Sequence, residues 1–221
     1  MVDQAQKRLK EAFQTKEKAG RIRQQNEAII LAAAETEFAH HGFRGASLNA
    51  IAERAGLPKS NILYYFHNKV GLYGAVLSDI LDMWNQSFNN VTAKDDPAEA
   101  ISSYIRAKIR YSRSHPLASR IFAIEIIQGA PHLKAFLAEE LSEWVGGRAA
   151  VIQAWIDAGK IDAIDPVHFM FMVWGATQHY ADFATQVHWA LGKEQLEDTD
   201  FKAAEETLCH IILKGIGLAP A

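Results

Sequence analysis

The chain has a single cysteine, Cys209, in 221 residues, only six prolines and no long hydrophobic run. A lone thiol cannot build a disulfide framework, so the sequence does not read as a small exported scaffold. The longest unbroken apolar stretch is Phe169 to Ala176, far short of the roughly 20 residues that a membrane-spanning helix needs. The N-terminus is charged rather than apolar, which argues against a signal peptide. No membrane association and a reducing, cytoplasmic setting are therefore expected, with Cys209 a small buried hydrophobe on the last helix. Also missing are β-hairpin signals, internal repeats, low-complexity tracts, a nucleophile motif and paired catalytic carboxylates, so an enzyme would need a site assembled wholly by the fold. Catalytic residues, a metal and a cofactor are not expected.

What is present is helical punctuation, densest between Ser47 and Lys69, where SLNAIAERAGLPKSNILYYFHNK has the outline of a helix-turn-helix. Ser47 can cap a first helix, and Leu48, Ile51, Ala52 and Ala55 form one apolar face at helical spacing. Gly56 supplies the left-handed backbone of a tight turn, and Pro58 fits the first turn of the second helix, where its missing N–H has no partner. Lys59, Ser60, Asn61, Tyr64 and Tyr65 follow on the outer face. Lysine can donate to guanine O6 and N7, asparagine can bind adenine bidentately, and tyrosine can meet a phosphate or a thymine methyl. Lys69 would sit at the next helix start, within reach of the phosphate backbone. On pattern alone a structural hairpin in an all-helical protein also fits. Charge favours DNA: residues 1–75 carry 11 Lys+Arg against 7 Asp+Glu, and the remainder 12 against 19. Phosphates neutralised by such a basic part release counterions.

The helix Ala28 to Phe38, the loop HGFRGAS (His41 to Ser47), IAERAGLPKSNILYYF (Ile51 to Phe66) and NKVGLY (Asn68 to Tyr73) together resemble the N-terminal domain of the TetR family of one-component transcriptional regulators. The resemblance implies a three-helix DNA-binding domain, a fourth helix leading to an all-helical ligand domain, and two long final helices that pair with a second subunit. By that resemblance Lys59, Ser60, Asn61, Tyr64 and Tyr65 fall on the recognition helix, and Arg44, Ser47 and Lys69 on backbone-contacting positions. Two departures stand out. Pro58 occupies a place where the family often has a capping Ser, and Gly71 and Gly74 replace helix formers, each costing about 1 kcal/mol against alanine, which would make the start of the fourth helix easy to shift.

The expected organisation is all-α, about nine helices. It comprises a basic flexible arm over 1–24, a helix-turn-helix DNA-binding domain over 25–70, and a ligand-binding and dimerisation domain over 71–221. The arm is either a solvated tail or an extension that lies on phosphates or enters the minor groove. Beyond it, Asn68 to about Asn90 is one amphipathic pattern. Asp96, Pro97 and Glu99 start a helix to about Ser114, and Pro116 opens the next. Gly129 to Pro131 breaks that one, and a longer helix runs to Gly159. Asp165 and Pro166 start a helix to about Leu191, and the last spans about Asp198 to Gly215.

Ligand domains of this family enclose a pocket, and five Trp supply candidates for one. Trp174 and Gln178, four apart, share a helix face, and Trp84 on the fourth helix can oppose them. Indole faces stack on a flat heteroaromatic ring, and a carboxamide offers an acceptor and a donor side by side. Large aromatics at helical spacing also make ordinary core. The segments Ile164 to Val187, Leu72 to Trp84 and Ser119 to Pro131 resemble a pyrimidine-responsive branch of the family, with the likeness running over most of residues 25–215. That branch senses uracil or thymine and controls pyrimidine degradation and related nitrogen metabolism. The resemblance points to Trp84, Trp174 and Gln178 as pocket residues, with Phe122, Glu125, His179 and Asp182 as further candidates. His179 and Asp182, three apart, lack the additional ligands of a closed metal site and read as a hydrogen-bonded pair.

The expected mechanism is a homodimeric repressor on a pseudo-palindromic duplex operator, released by a small effector, uracil or thymine. The alternatives are a regulator of the same type for a purine, a dihydropyrimidine or a hydrophobic compound and, more remotely, a helical enzyme or a protein-interaction module.

Overall fold

The computed structural model describes the backbone of residues 2–134 and 140–218, with side chains from residue 21 onward in those spans. Ten helices and no strand occur among the described residues. They are α1 (Val2–Gly45), α2 (Leu48–Ala55), α3 (Lys59–Phe66), α4 (Lys69–Asn89), α5 (Pro97–Ser114), α6 (Pro116–Ile127), α7 (Ser142–Asp157), α8 (Pro166–Asp182), α9 (Ala184–Leu191) and α10 (Asp198–Gly215). The chain divides into two compact units, Met1–Val76 and Leu77–Ala221. The division falls inside α4, six residues beyond the 70/71 boundary expected from the sequence.

In the first unit, α1 is helical from Val2 rather than from Ala28, so most of the stretch assigned to a flexible arm continues the helix. The side chains of residues 1–20, and any DNA contact of that arm, lie outside the described residues. Gly42 breaks α1 with φ 65° and ψ 175°, and the chain turns through Gly45 into α2. The most deeply buried side chains under α2 and α3 are apolar: Ile30, Ala34, Phe38, Ile51, Ile62 and Leu72 are each at most 1% exposed. Phe38 meets Tyr73 edge-on at 4.7 Å, tying α1 to the start of α4.

The second unit is built around α5, which buries Ile101, Tyr104, Ile105 and Ile109 and packs against α8 and α10. Its start is the expected one: Asp96 accepts from Glu99 N at 3.0 Å, with Pro97 in the first turn. Asp165 does the same for α8, accepting from Val167 N and His168 N, both at 2.9 Å. These backbone donors hold the Asp165 carboxyl below the usual carboxylate range. The helix expected from 166 to 191 is two helices. Phe183 leaves helical dihedrals at φ −112°, ψ 29° and stacks on His179 at 5.1 Å, which brings the helices among the described residues to ten where nine were expected. Neither Pro nor Gly marks that break, so the sequence did not announce it.

Candidate DNA-reading face and ligand site

Local chemistry positions α3. Ser47 Oγ accepts from Ala50 N at 3.0 Å and caps α2. Gly56, at φ 63° and ψ 27°, ends that helix, and Leu57 N donates back to Ala52 O, the left-handed closure that favours glycine. Pro58 sits one place before the first helical residue, not in the first turn, and its carbonyl accepts from Asn61 N at 2.9 Å. No side chain caps this end of α3.

The five expected recognition residues divide between two faces. Lys59, Ser60 and Tyr64 are exposed, Tyr64 at 71%, while Ile62 is fully buried beneath them. Asn61 and Tyr65, four apart, are half-buried on the flank. The Tyr65 hydroxyl accepts from Asn26 Nδ2 at 3.3 Å, and the Arg23 guanidinium lies 5.9 Å from its ring centroid. Tyr65 therefore fastens α3 to α1, and the outward face is Lys59, Ser60, Leu63 and Tyr64. Leu63, 41% exposed, was missed because a leucine in a short helix is ordinarily assigned to the core; its i+3 and i+4 spacing from Ser60 and Lys59 was the available signal. This face offers a cation, a hydroxyl and apolar contact area, suited to base edges and thymine methyls.

Arg44 is exposed at the end of α1 and Ser47 is exposed at its cap, both open to a phosphate. Lys69 is engaged elsewhere. Its ammonium donates to Ala46 O at 3.0 Å and Arg44 O at 3.4 Å, and lies 4.7 Å from the Phe43 ring centroid. Two of its three donors thus close the carbonyl end of the α1 turn, a positioning role where a phosphate contact was expected. Between α3 and α4 the chain makes a tight turn at His67, φ 65° and ψ −48°, with Asn68 N on Phe66 O at 2.7 Å. Gly71 is required by this turn, because a Cβ there would stand 2.3 Å from Phe66 O. A steric need thus explains Gly71, whereas a Cβ at Gly74 would meet nothing within 4 Å.

In the second unit, three of the seven expected ligand residues are joined through two that the sequence did not single out. Trp84 is 5% exposed and meets Phe122 edge-on at 5.0 Å. The Lys108 ammonium lies 4.3 Å from the Trp84 ring centroid. Asp182 accepts a hydrogen bond from Ser119 Oγ and attracts Lys108 electrostatically. Trp174 belongs to an adjoining aromatic group: its Nε1 donates to the Tyr104 hydroxyl at 2.7 Å, and its ring lies 6.2 Å from Trp144 and 5.6 Å from Phe171. Gln178 lies four residues from Trp174 and four from Asp182, so one side of α8 carries all three.

Two expected ligand residues are used elsewhere. The Glu125 carboxylate, 2% exposed, accepts from His132 N at 2.6 Å and pairs with His132 Nδ1 at 3.2 Å, which fastens the turn after α6. His179, stacked on Phe183, lines a cleft of about 410 Å³ with Tyr180, Val187 and Ala204. Asp182 bonds to Ser119, so the His179–Asp182 hydrogen bond expected from their spacing gives way to one between helices. No group of three or more His, Cys, Asp or Glu is placed to hold a metal among the described residues.

Lys108 is the electrostatic centre of this set. Burial pushes its amine down to about 7, against partial support from Asp182, and burial likewise raises the Asp182 carboxyl despite the Ser119 bond. An ammonium taken out of water costs several kcal/mol even after relaxation. A desolvated cation–π contact offsets about 2 kcal/mol, so Lys108 is a net cost to the fold. A lysine interrupting the apolar stripe Ile101, Tyr104, Ile105, Ile109 was the signal in the sequence.

Residues 30–76 match the model of bacterial regulatory proteins of the tetR family, and residues 77–219 that of the YcdC-like protein C-terminal region. The two matches meet where the structure divides. The chain is 41% identical over 205 residues to the HTH-type transcriptional regulator RutR of Escherichia coli (strain K12), covering 93% of this chain and 97% of that protein. It is 26% identical over 135 residues to the regulator EthR of Mycolicibacterium smegmatis, covering 60% and 62% of the respective chains. In fold it is similar to the putative transcriptional regulator SCO4942 from Streptomyces coelicolor, with a TM-score of 0.67 at 22% identity over 86% of this chain and 97% of that one. It is likewise similar to AibR, solved with isovaleryl coenzyme A and operator DNA, with a TM-score of 0.63 at 17% identity over 88% and 98%. No helix among the described residues is long and apolar enough to cross a membrane. The chain belongs to the TetR family of bacterial transcriptional regulators, as a DNA-binding regulator and not an enzyme.

Proposed function

We propose that this regulator is a cytoplasmic homodimeric repressor that senses uracil or thymine and controls genes of pyrimidine or nitrogen metabolism. The observation that carries the reading is the site on α4, α5, α6 and α8, where the Trp84 indole, edged by Phe122, is accompanied by Lys108 and Asp182. A flat ring stacks on indole, and its polar edge needs charged or amide groups around it; Gln178 adds a donor and an acceptor. The identity to RutR extends over nearly all of that relative, and the ligand-domain segments resemble the pyrimidine-responsive branch. Two-fold pairing is supported by the exposed apolar side chains Phe171 and Met172 on α8 and Ile211 on α10.

In this reading the effector acts by binding one conformation better than the other, and duplex DNA weakens the effector by the same factor. The test is a thermal-shift panel of uracil, thymine, cytosine, adenine and dihydrouracil on the full chain, because a ligand specific to the folded state raises the midpoint. Uracil and thymine should raise it and the others should not. A rise with adenine or dihydrouracil alone would transfer the reading to another effector. Gln178→Ala should abolish the uracil shift while DNA binding remains.

A further inference from the structure

Lys108 has a bare donor set. It is 3% exposed, and among the described residues no oxygen accepts a hydrogen bond from its ammonium and no carboxylate stands within ion-pair contact. Its neighbours on α5 are tied to α8 on both sides: Tyr104 one turn before accepts from Trp174, and Ser112 one turn after donates to Thr177 O at 2.8 Å. Lys108 therefore lies between two contacts of α5 with α8, at Trp174 and at Thr177. The Trp84 ring fixes one direction of approach at 4.3 Å, and Asp182, held by Ser119, supplies a counter-charge. On the Trp84 helix, Ser87 Oγ three residues on is buried without a partner among the described residues. Buried polar groups in folded proteins are ordinarily satisfied. A methionine would fill the same space without desolvating a charge. An unpaired ammonium beside an aromatic face in a candidate ligand site is a group poised for an acceptor that arrives from outside.

We propose that Lys108 selects keto over amino heterocycles: its ammonium, held over Trp84 with Asp182 as counter-charge, donates to a ring carbonyl oxygen of the bound pyrimidine. This rests on the pyrimidine reading above. Uracil and thymine present carbonyl oxygens at both C2 and C4. Cytosine carries an amino group at C4, so an ammonium meeting that edge leaves two buried donors opposed, the arrangement by which polar sites reject near-isosteres.

Isothermal titration of the full chain at pH 7 with uracil and with cytosine, wild type beside Lys108→Met, tests this. The wild type should prefer uracil by about 100-fold or more. In Lys108→Met, uracil should weaken by at least about tenfold with cytosine little changed, so the ratio between them collapses while DNA binding persists. Unchanged uracil affinity in Lys108→Met would overturn the role of Lys108 and leave the pyrimidine reading standing. No binding of uracil or thymine by the wild type would overturn both. Should Lys108→Met not fold, the double variant Lys108→Met/Asp182→Asn removes both charges and should show the same collapse. Equal wild-type affinities for uracil and cytosine would refute the proposal without any variant.

Discussion

In residues 21–76 the side chains suited to a partner stand on the surface, Tyr64 at 71% exposure beside Lys59, Ser60 and Leu63, over fully buried Ile, Ala, Leu and Phe side chains. In residues 77–221 the polar groups suited to a partner lie inside, with Lys108 at 3%, and the carboxylate of Asp182 is bonded across helices to Ser119. On the outward face of α3, recognition and stability reside in different side chains. In the second unit they share the same side chains, so a change in the site must register in the stability of the fold.

Four substitutions break or sharpen that contrast. The largest effect belongs to the shared rule that cores do not tolerate cavities. Phe38→Ala removes a side chain 1% exposed and its contact with Tyr73, and should cost about 3–5 kcal/mol in chemical denaturation. Second is the pH response of Lys108. The Lys108 amine sits near 7 in the folded chain against 10.5 ordinarily, so between those values the unfolded chain binds more protons and stability rises with pH, by up to about 1.4 kcal/mol per unit. Below the folded value both states are charged and the penalty is complete. Urea midpoints across pH 6–10 should show this rise in the wild type and a flatter curve in Lys108→Met. Identical slopes would mean that the amine is not desolvated.

Ser47→Ala should cost about 1 kcal/mol through the lost cap on α2, measurable in the same denaturation series. Tyr64→Ala should change stability by less than about 0.5 kcal/mol, while DNA affinity by fluorescence anisotropy falls. A large stability loss from Tyr64→Ala would erase the separation between surface and core in the reader.

The reader was legible because its signals are local. Ser47, Gly56 and the apolar spacing of Leu48, Ile51, Ala52 and Ala55 lie within 10 residues, and each cap carries its own backbone geometry. Asp96–Pro97 and Asp165–Pro166 announced α5 and α8 by the same chemistry. What escaped was tertiary. That Tyr65 would turn to Asn26, that Lys69 would close carbonyls 23 and 25 residues earlier, and that Gly71 would make room for Phe66 O depend on contacts no periodicity encodes. The second unit shows this most clearly. Trp84 could be named from side-chain type, and Phe122 and Asp182 from the family resemblance, but Lys108 and Ser119, which join them, gain their meaning only when α5 and α6 pack. Glu125 was named as well and is spent on His132. The break at Phe183 had no Pro or Gly to mark it.

The central claim, that occupancy of the site around Trp84 governs DNA binding, is tested most directly by anisotropy of a labelled duplex enriched from random sequence by the protein itself, titrated with uracil. DNA affinity should fall about 5- to 150-fold as uracil saturates, the range of typical allosteric coupling, and Gln178→Ala should bind the duplex without responding. A duplex affinity unchanged at saturating uracil and thymine would contradict the account.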